Sequence, residues 1–399
     1  MSKKIIGVIV AVVVVVVLVL VFALPSTPPD DEEPDVEIKI GGIFDKTGGL
    51  AAMGALIEKG ALLAVEEINA AGGVLGAKLV LQVEDGATTP TAGFEAFKKL
   101  VEVNGAKVIV GPMISGAAMS CGPYAESNEV SFVSPSASSP LITFQDWKEW
   151  APRTCTKDNF QGQVLADIII EEGYEAAAIV VQDTPYGIGI EMVVTEILEA
   201  ANVTVVATVR YDEAKLEYAT ELSTIAAANP DVIVQVGYHT DSAVVYEQAV
   251  AAGLDTVAWL VAEGVYGLVP ATYPAAADFM VEANLRGATL VPEPDVPEYV
   301  AFVAAYEARW GVPPGVYCDT AYDAVKMIAL AIEEAGVYDG AAIKEALYEV
   351  AVDYAGASGT ITWDELGDRA VATYGVWELV YDDVEEEYEY VILDYVVFE

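Results

Sequence analysis

Hydrophobic positions along the chain fall into short β-branched runs separated by longer segments of helical period. The runs at residues 37–44, 78–83, 108–110, 130–133, 177–181, 203–209, 232–236 and 257–261 are apolar with little interruption, which predicts strands covered on both faces. Between and after them, residues 56–71, 93–104, 161–172, 191–201, 241–252, 297–310 and 320–335 read as helices. Strands and helices in alternation imply parallel sheets with helices on both faces. More strands are present than one compact sheet usually holds, so the pattern predicts two α/β lobes, each a doubly wound parallel sheet. Past Gly356 the strands become closely spaced and end in an acidic, tyrosine-rich EEEYEY stretch, the mark of an added hairpin or meander.

A different pattern precedes this body. Residues 5–24 are apolar and interrupted only by Gly7. At about 1.5 Å per residue such a helix crosses a hydrocarbon core of about 30 Å, which predicts an N-terminal transmembrane helix. Lys3 and Lys4 precede it and Asp30, Asp31, Glu32 and Glu33 follow, so the positive-inside rule places the body outside the cytoplasm. The alternative is a removable signal peptide. Against cleavage, the apolar run is longer than a usual signal core, and Leu24 and Pro25 spoil the small-residue site at 23–26. The proline-rich acidic segment 25–35, PSTPPDDEEPD, is an extended tether.

Charge narrows the partners. Nineteen basic against 62 acidic residues give a formal net charge of -43, which repels phosphate backbones and excludes nucleic acid as a primary partner. The same excess is found in proteins that stay soluble in concentrated salt. Three cysteines, Cys121, Cys155 and Cys318, show no metal-type spacing and allow at most one intramolecular disulfide. The only histidine is His239, and no G-x-S-x-G, P-loop or G-x-G-x-x-G occurs. Catalysis and a resident metal or cofactor therefore find little support.

The most informative stretch is residues 107–140, where two hydroxyl-rich loops follow two of the predicted strands. After the first, Ser115 opens a helix-compatible segment, so that its hydroxyl and the free N–H groups of the first turn can hold an anion. After the second, Ser136, Ser138 and Ser139 crowd between two prolines. In open parallel sheets, ligands collect beyond the carboxyl ends of strands, where both loops lie. Each serine could equally serve as a cap or turn residue; two such loops together favour a ligand. Glu263 follows the strand-like WLVA and precedes a glycine, as a residue displayed at a strand end does. Tyr186 and Tyr238 each stand beside a glycine after a strand-like run.

The order of motifs resembles the type I solute-binding proteins of ABC importers, in particular the leucine/isoleucine/valine-binding family, along nearly the whole body. The resemblance is carried by IKIGGIFDKTGGLAAMG, by GALLAVEEINAAGGVLGAKLVLQVEDGATTP and by the two serine loops. It continues through RT-C-T-x-D-x-x-Q-G at 153–162, DTPYG at 183–187, GYHTD at 237–241, AEGV at 262–265 and ITWDELGD at 361–368. It implies a Venus-flytrap fold, two lobes joined by three crossovers. Residues 36–156 and 290–364 would form lobe 1, and 157–289 and 365–399 lobe 2. Crossovers and hinge are expected near 153–158, 287–292 and 363–367.

The resemblance also implies a site. Ser115, Ser136 and Ser138 match positions that bind an α-carboxylate, and Glu263 matches the carboxylate that holds the α-ammonium. Tyr186 and Tyr238 match aromatic residues of the closing lobe, and Tyr317 matches one on the first. Met53 stands where relatives often carry an aromatic residue, so the side-chain pocket differs in shape. A zwitterion needs this division of charge, because a buried charge without a partner costs several kcal/mol. His239, beside Tyr238, is a rim or contact residue. Cys121 and Cys155 could pair, which an extracellular body permits, and three free or partly paired thiols are the alternative. The function implied is a receptor, tethered outside the membrane or secreted if cleaved, that hands a branched-chain or similarly apolar amino acid to an ABC permease. The alternative keeps the binding module as a sensor or as a receptor for an amide, urea or aromatic acid.

Overall fold

The computed structural model describes residues 36–398 apart from residues 214, 293 and 294. The predicted membrane segment 5–24 and the tether 25–35 lie outside the described residues. Among the described residues no helix is long and apolar enough to cross a membrane.

The chain begins with β1 (Glu37–Phe44), α1 (Ala51–Ala70), β2 (Lys78–Asp85), α2 (Pro90–Glu102), β3 (Val108–Val110), α3 (Ser115–Ser127) and β4 (Ser131–Val133). It continues with α4 (Asp158–Glu171), β5 (Ala176–Gln182), α5 (Pro185–Ala200), β6 (Thr204–Tyr211), α6 (Ala219–Ala228) and β7 (Val232–Val236). Then follow α7 (His239–Ala249), β8 (Ala258–Val261), α8 (Pro274–Glu282), β9 (Arg286–Leu290) and α9 (Pro297–Trp310). The last elements are α10 (Cys318–Ala335), α11 (Gly340–Val350), β10 (Tyr354–Gly356), β11 (Gly359–Ile361), β12 (Ala372–Asp382) and β13 (Glu387–Phe398).

Two principal sheets result. The first has the order β2-β1-β3-β4 and is parallel throughout. The second has the order β13-β12-β9-β8-β7-β5-β6, parallel from β9 to β6. It is not the wholly parallel sheet that the alternation predicts, because β12 returns antiparallel beside β9 and β13 pairs antiparallel with β12. The expected hairpin after Gly356 is thus an extension of the second sheet, and β10 and β11 form a separate small hairpin before it.

Burial on both faces explains the uninterrupted apolar strands. Ala177, Ile179 and Val181 of β5 join a cluster with Leu165 and Ile169 of α4 and Ile190 and Val194 of α5. Their neighbours Ala178 and Val180 point the other way, into a cluster with Tyr246 of α7 and Phe279 of α8. Each of the larger side chains among them, Val, Leu, Ile or Phe, contributes roughly 1.5–3 kcal/mol when fully buried. In the first sheet Val108 and Val110 face α10, while Ile109 packs on the α2 and α3 side with Phe97 and Ala118. Helix starts follow local chemistry: Thr89 accepts the Ala92 N–H before α2, and Thr184 accepts the Gly187 N–H before α5, each with proline in the first turn.

The apolar pattern alone does not reveal β9, whose sequence RGATL is mostly small or polar. It is nevertheless an inner strand. Gly287 sits under the Trp377 ring of β12, and a Cβ there would approach that ring to 2.3 Å, so glycine is what lets the two strands pair. Gly287 therefore belongs to the sheet and not to a crossover, and the second passage between sheets starts after Leu290. The other passages run from β4 to α4 and from β11 to β12.

Candidate ligand-binding site

The two serine loops meet at the carboxyl ends of β3 and β4. The helix α3 begins at Ser115 itself, and no side chain caps it. The Ser115 hydroxyl instead accepts the Ser139 N–H at 3.2 Å, tying the first loop to the second. Within the second loop Ser134 accepts the Ala137 N–H at 2.9 Å, and the Ser136 hydroxyl donates to the Met113 carbonyl at 3.0 Å. Ser115 and Ser138 are almost wholly buried and Ser136 partly so. The first-turn N–H groups of α3 and the Ser115 hydroxyl make a neutral, donor-rich wall suited to an anion, whereas the Ser134, Ser136 and Ser139 hydroxyls already donate to the Pro112, Met113 and Pro185 carbonyls.

Opposite stands Glu263, on a short turn directly after β8 and 2% exposed. Tyr317 donates its hydroxyl to one carboxylate oxygen, and the Leu290 N–H reaches the other at 3.4 Å. Burial pushes its carboxyl up to about 7, with the Tyr317 hydrogen bond acting the other way. Asp158, at the first turn of α4, is a neighbour: burial and then the Glu263 charge push its carboxyl far above the usual range. Among the described residues neither Asp158 carboxylate oxygen meets a donor at hydrogen-bond geometry, although the nearby Ser138 hydroxyl and Arg153 charge act to lower its pKa. Two desolvated carboxyls side by side without a cation are costly, and a bound cation would lower both.

The tyrosines form the next wall. Tyr186 and Tyr238 stack at 5.6 Å between ring centroids. The Tyr186 hydroxyl accepts the Gly264 N–H at 3.1 Å, which fixes the turn that carries Glu263. Gly264 has no room for a side chain, since a Cβ would lie 2.4 Å from the Gly237 carbonyl. Tyr238 is held from behind, its N–H donated to Asp241 at 3.1 Å, and Asp241 also accepts from Gln182 and Tyr211. Tyr317 comes from the first-sheet side with φ of 66°, a left-handed conformation uncommon for tyrosine and found where surrounding structure imposes it. Met53 of α1 completes an apolar end with Leu50, Met113 and Ile114.

All eight residues singled out from the sequence, Ser115, Ser136, Ser138, Glu263, Tyr186, Tyr238, Tyr317 and Met53, line this one cavity. It encloses about 340 Å³ of atom-free space, its mouth included, but water centres have only about 30 Å³. That is room for about two waters. An amino acid would enter only if the walls part. Sequence reasoning missed Leu50, Met113, Ile114 and Gly264 as lining residues, and Asp158 as a neighbour of Glu263. The signal for Asp158 was present, since it is the acidic member of the motif at 153–162.

Two expectations need correction. His239 does not line the cavity; its buried ring faces the Tyr266 carbonyl at 3.1 Å, and burial pushes its pKa down. Cys121, Cys155 and Cys318 are all buried and free, so the Cys121–Cys155 pair is not formed. Cys121 turns toward the Gly93 carbonyl between α2 and α3, whereas Cys155 is embedded in the cluster around α4 and α10.

Two open α/β sheets joined by three passages, with a buried polar cavity between them, define a binding protein of the type I periplasmic class. The sequence profile described as periplasmic binding protein matches residues 37–382, and the chain belongs to that family. It is similar to the leucine-, isoleucine-, valine-, threonine- and alanine-binding protein of Pseudomonas aeruginosa, 31% identical over 86% of this chain and 89% of the relative. Among solved structures it resembles the branched-chain amino acid transporter substrate-binding protein LivJ of Streptococcus pneumoniae in complex with isoleucine. That likeness has a TM-score of 0.73 and 25% identity, over 89% of this chain and 99% of the other. It shares the fold of an ABC-transporter solute-binding protein from R. palustris in complex with benzoate, with a TM-score of 0.75 and 21% identity over 89% and 96% of the two chains.

Proposed function

We propose that the protein is an extracytoplasmic receptor that captures an amino acid with a branched-chain or similarly apolar side chain and delivers it to an ABC permease. The observation that carries this reading is the division of charge in the cavity. Glu263 is a desolvated carboxyl on the cavity wall with Asp158 buried behind it, and neither is in an ion pair among the described residues. The Ser115 hydroxyl and the first-turn N–H groups of α3 offer neutral donors. A free α-amino acid supplies an ammonium for the first and a carboxylate for the second. Its side chain then meets Met53, Leu50, Met113 and Ile114. No bond need be made or broken.

The same charges weigh against an aromatic acid such as benzoate, which has no cation and would bring a third negative group beside two desolvated carboxyls. In this reading lobe 1 comprises residues 36–156 and 291–364 and lobe 2 comprises 157–290 and 365–399, the expected boundary moving by one residue because Leu290 ends β9, with the site closed by their approach. Residues 5–24 would anchor the receptor to the outer face of the cytoplasmic membrane through the tether 25–35, as their apolar length and flanking charges support. Calorimetry of the body from residue 36 onward against the twenty amino acids, a few amides and benzoate tests the assignment. Heat of binding with benzoate and none with any amino acid would overturn it.

A further inference from the structure

Behind the second serine loop lies a charged cluster that the ligand would not touch. Arg153, in the first passage between the sheets, is 1% exposed. Its Nη1 donates to the carbonyls of Ala137 and Ser139 at 2.9 and 3.0 Å, and its Nη2 to the Thr143 hydroxyl at 2.8 Å. Its Nε donates to Asp368, in the third passage, at 2.6 Å. Asp368 also accepts the Thr143 hydroxyl at 2.6 Å and lies 3.1 Å from the Lys148 ammonium. Lys148 in turn donates to the carbonyls of Ala151 and Leu366. Lys157 stands further off, 3.7 Å from Asp368 and 3.9 Å from Asp364.

Two consequences follow from this geometry. In a trans peptide the carbonyl and the next N–H point in opposite directions. With Arg153 holding the Ala137 carbonyl, the Ser138 N–H is turned away from the guanidinium, and Ser138 lines the cavity. That N–H meets no partner among the described residues. Moreover, the inner cluster of Lys148, Arg153 and Asp368 holds two cations and one anion, leaving positive charge behind the loop in a chain whose net charge is -43. Burial alone would raise the Asp368 carboxyl, yet the Arg153 and Lys148 charges hold it well below the carboxylate range, so the anion persists at any ordinary pH.

We propose that Arg153, oriented by Asp368, is a positioning residue for carboxylate recognition: it sets the Ser136–Ser139 peptides so that a donor faces the cavity, and it ties that setting to the third interlobe passage. The proposal rests on the reading that this loop receives the ligand's carboxylate. A bond from the first passage to the third then makes the loop's shape and the relative placement of the lobes one property.

The test uses full-length protein carrying Asp368→Asn, with Thr143→Val as a milder second variant that removes one partner of Arg153 and leaves all charges in place. Hydrogen exchange, followed by mass spectrometry without ligand, is expected to quicken about tenfold in the segment 134–143 and to stay unchanged in β5 and β7. Calorimetry is expected to show L-leucine weakened about tenfold in Asp368→Asn, with L-leucinamide, which keeps the ammonium and side chain, changed less than about twofold. A merely structural role would weaken both ligands alike, and that result overturns the proposal, as does loop exchange unaltered in both variants. If Asp368→Asn does not fold, Thr143→Val decides both measurements. If the unaltered protein binds neither compound, the proposed ligand class falls while the exchange result still judges the role of Arg153.

Discussion

Glu263→Gln removes the charge assigned to the ligand's ammonium and keeps nearly the same shape. The structure sets the size of the effect. The carboxyl is pushed from 4.5 up to about 7 by burial, a difference worth roughly 3 kcal/mol, which a cation placed beside it would return. Coulomb attraction at hydrogen-bond distance in an effective dielectric of about 20 is about 5–6 kcal/mol, an upper limit before the ammonium's own desolvation is subtracted. Glutamine retains one acceptor. The net loss expected is therefore about 1.4–3 kcal/mol, a tenfold to roughly 150-fold weaker affinity, read by calorimetry at pH 8 where the native carboxylate is ionised. The pH dependence has a definite sign. Below pH 7 the empty native site takes up protons on Glu263, so affinity for an ammonium falls as the medium is acidified. In the Gln variant the share of that fall due to Glu263 disappears, leaving only what Asp158 contributes. For the unliganded fold the sign is opposite. With its folded pKa above the unfolded value, Glu263 binds more protons folded than unfolded between pH 4.5 and 7, and its contribution to stability is lost as pH rises through that window. Equal affinity of native protein and variant at pH 8 would refute the role assigned to this carboxylate.

Asp158→Asn should relieve the repulsion between the two carboxyls, raising the melting temperature of the unliganded protein at pH 8 by about 1–2 °C per kcal/mol of repulsion removed; scanning calorimetry measures it, and a lower melting temperature would count against that repulsion. Because the cavity as it stands admits about two waters, ligand entry requires opening, so rapid-mixing fluorescence is expected to show a binding rate that levels off at high ligand concentration; a rate linear to the diffusion limit would speak against it. The native protein should remain with membranes through a high-salt wash, whereas deletion of residues 1–24 releases a ligand-competent body; a mature chain that begins at or after Pro25 would show the segment to be a signal.

The legible parts of the fold were those in which one physical cause dominates. Strands such as β5 and β7 bury both faces and so announce themselves by apolar runs with little interruption. By contrast β9 is held by its neighbours: its glycine accommodates Trp377, a contact with a residue ninety positions away. The antiparallel return of β12 is likewise decided by packing on β9 and not by local propensity. In the site, Glu263 and the two tyrosines could be noticed beside glycines at strand ends. Asp158 stood in the motif at 153–162, but its bearing on the site comes from the closeness of Glu263, a tertiary fact. His239 misled for the complementary reason: adjacency in sequence to Tyr238 does not make the two side chains share a direction at a helix start.

The pairing of β9 with β12 also bears on how the two lobes can move. One strand leads out of the second sheet and the other leads back in, and the ladder between them extends beyond the strand ends, where the Val291 N–H bonds the Thr373 carbonyl at 3.1 Å. Two leaves riveted side by side at their root make a flexure: they bend together across their width and resist twist and shear. The Arg153 N–H bonded to the Gly367 carbonyl at 3.1 Å pins the remaining passage to the same hinge line. In the proposed closing motion the lobes would thereby follow a single angular coordinate, and thermal excursions of the empty receptor would trace the path that capture follows.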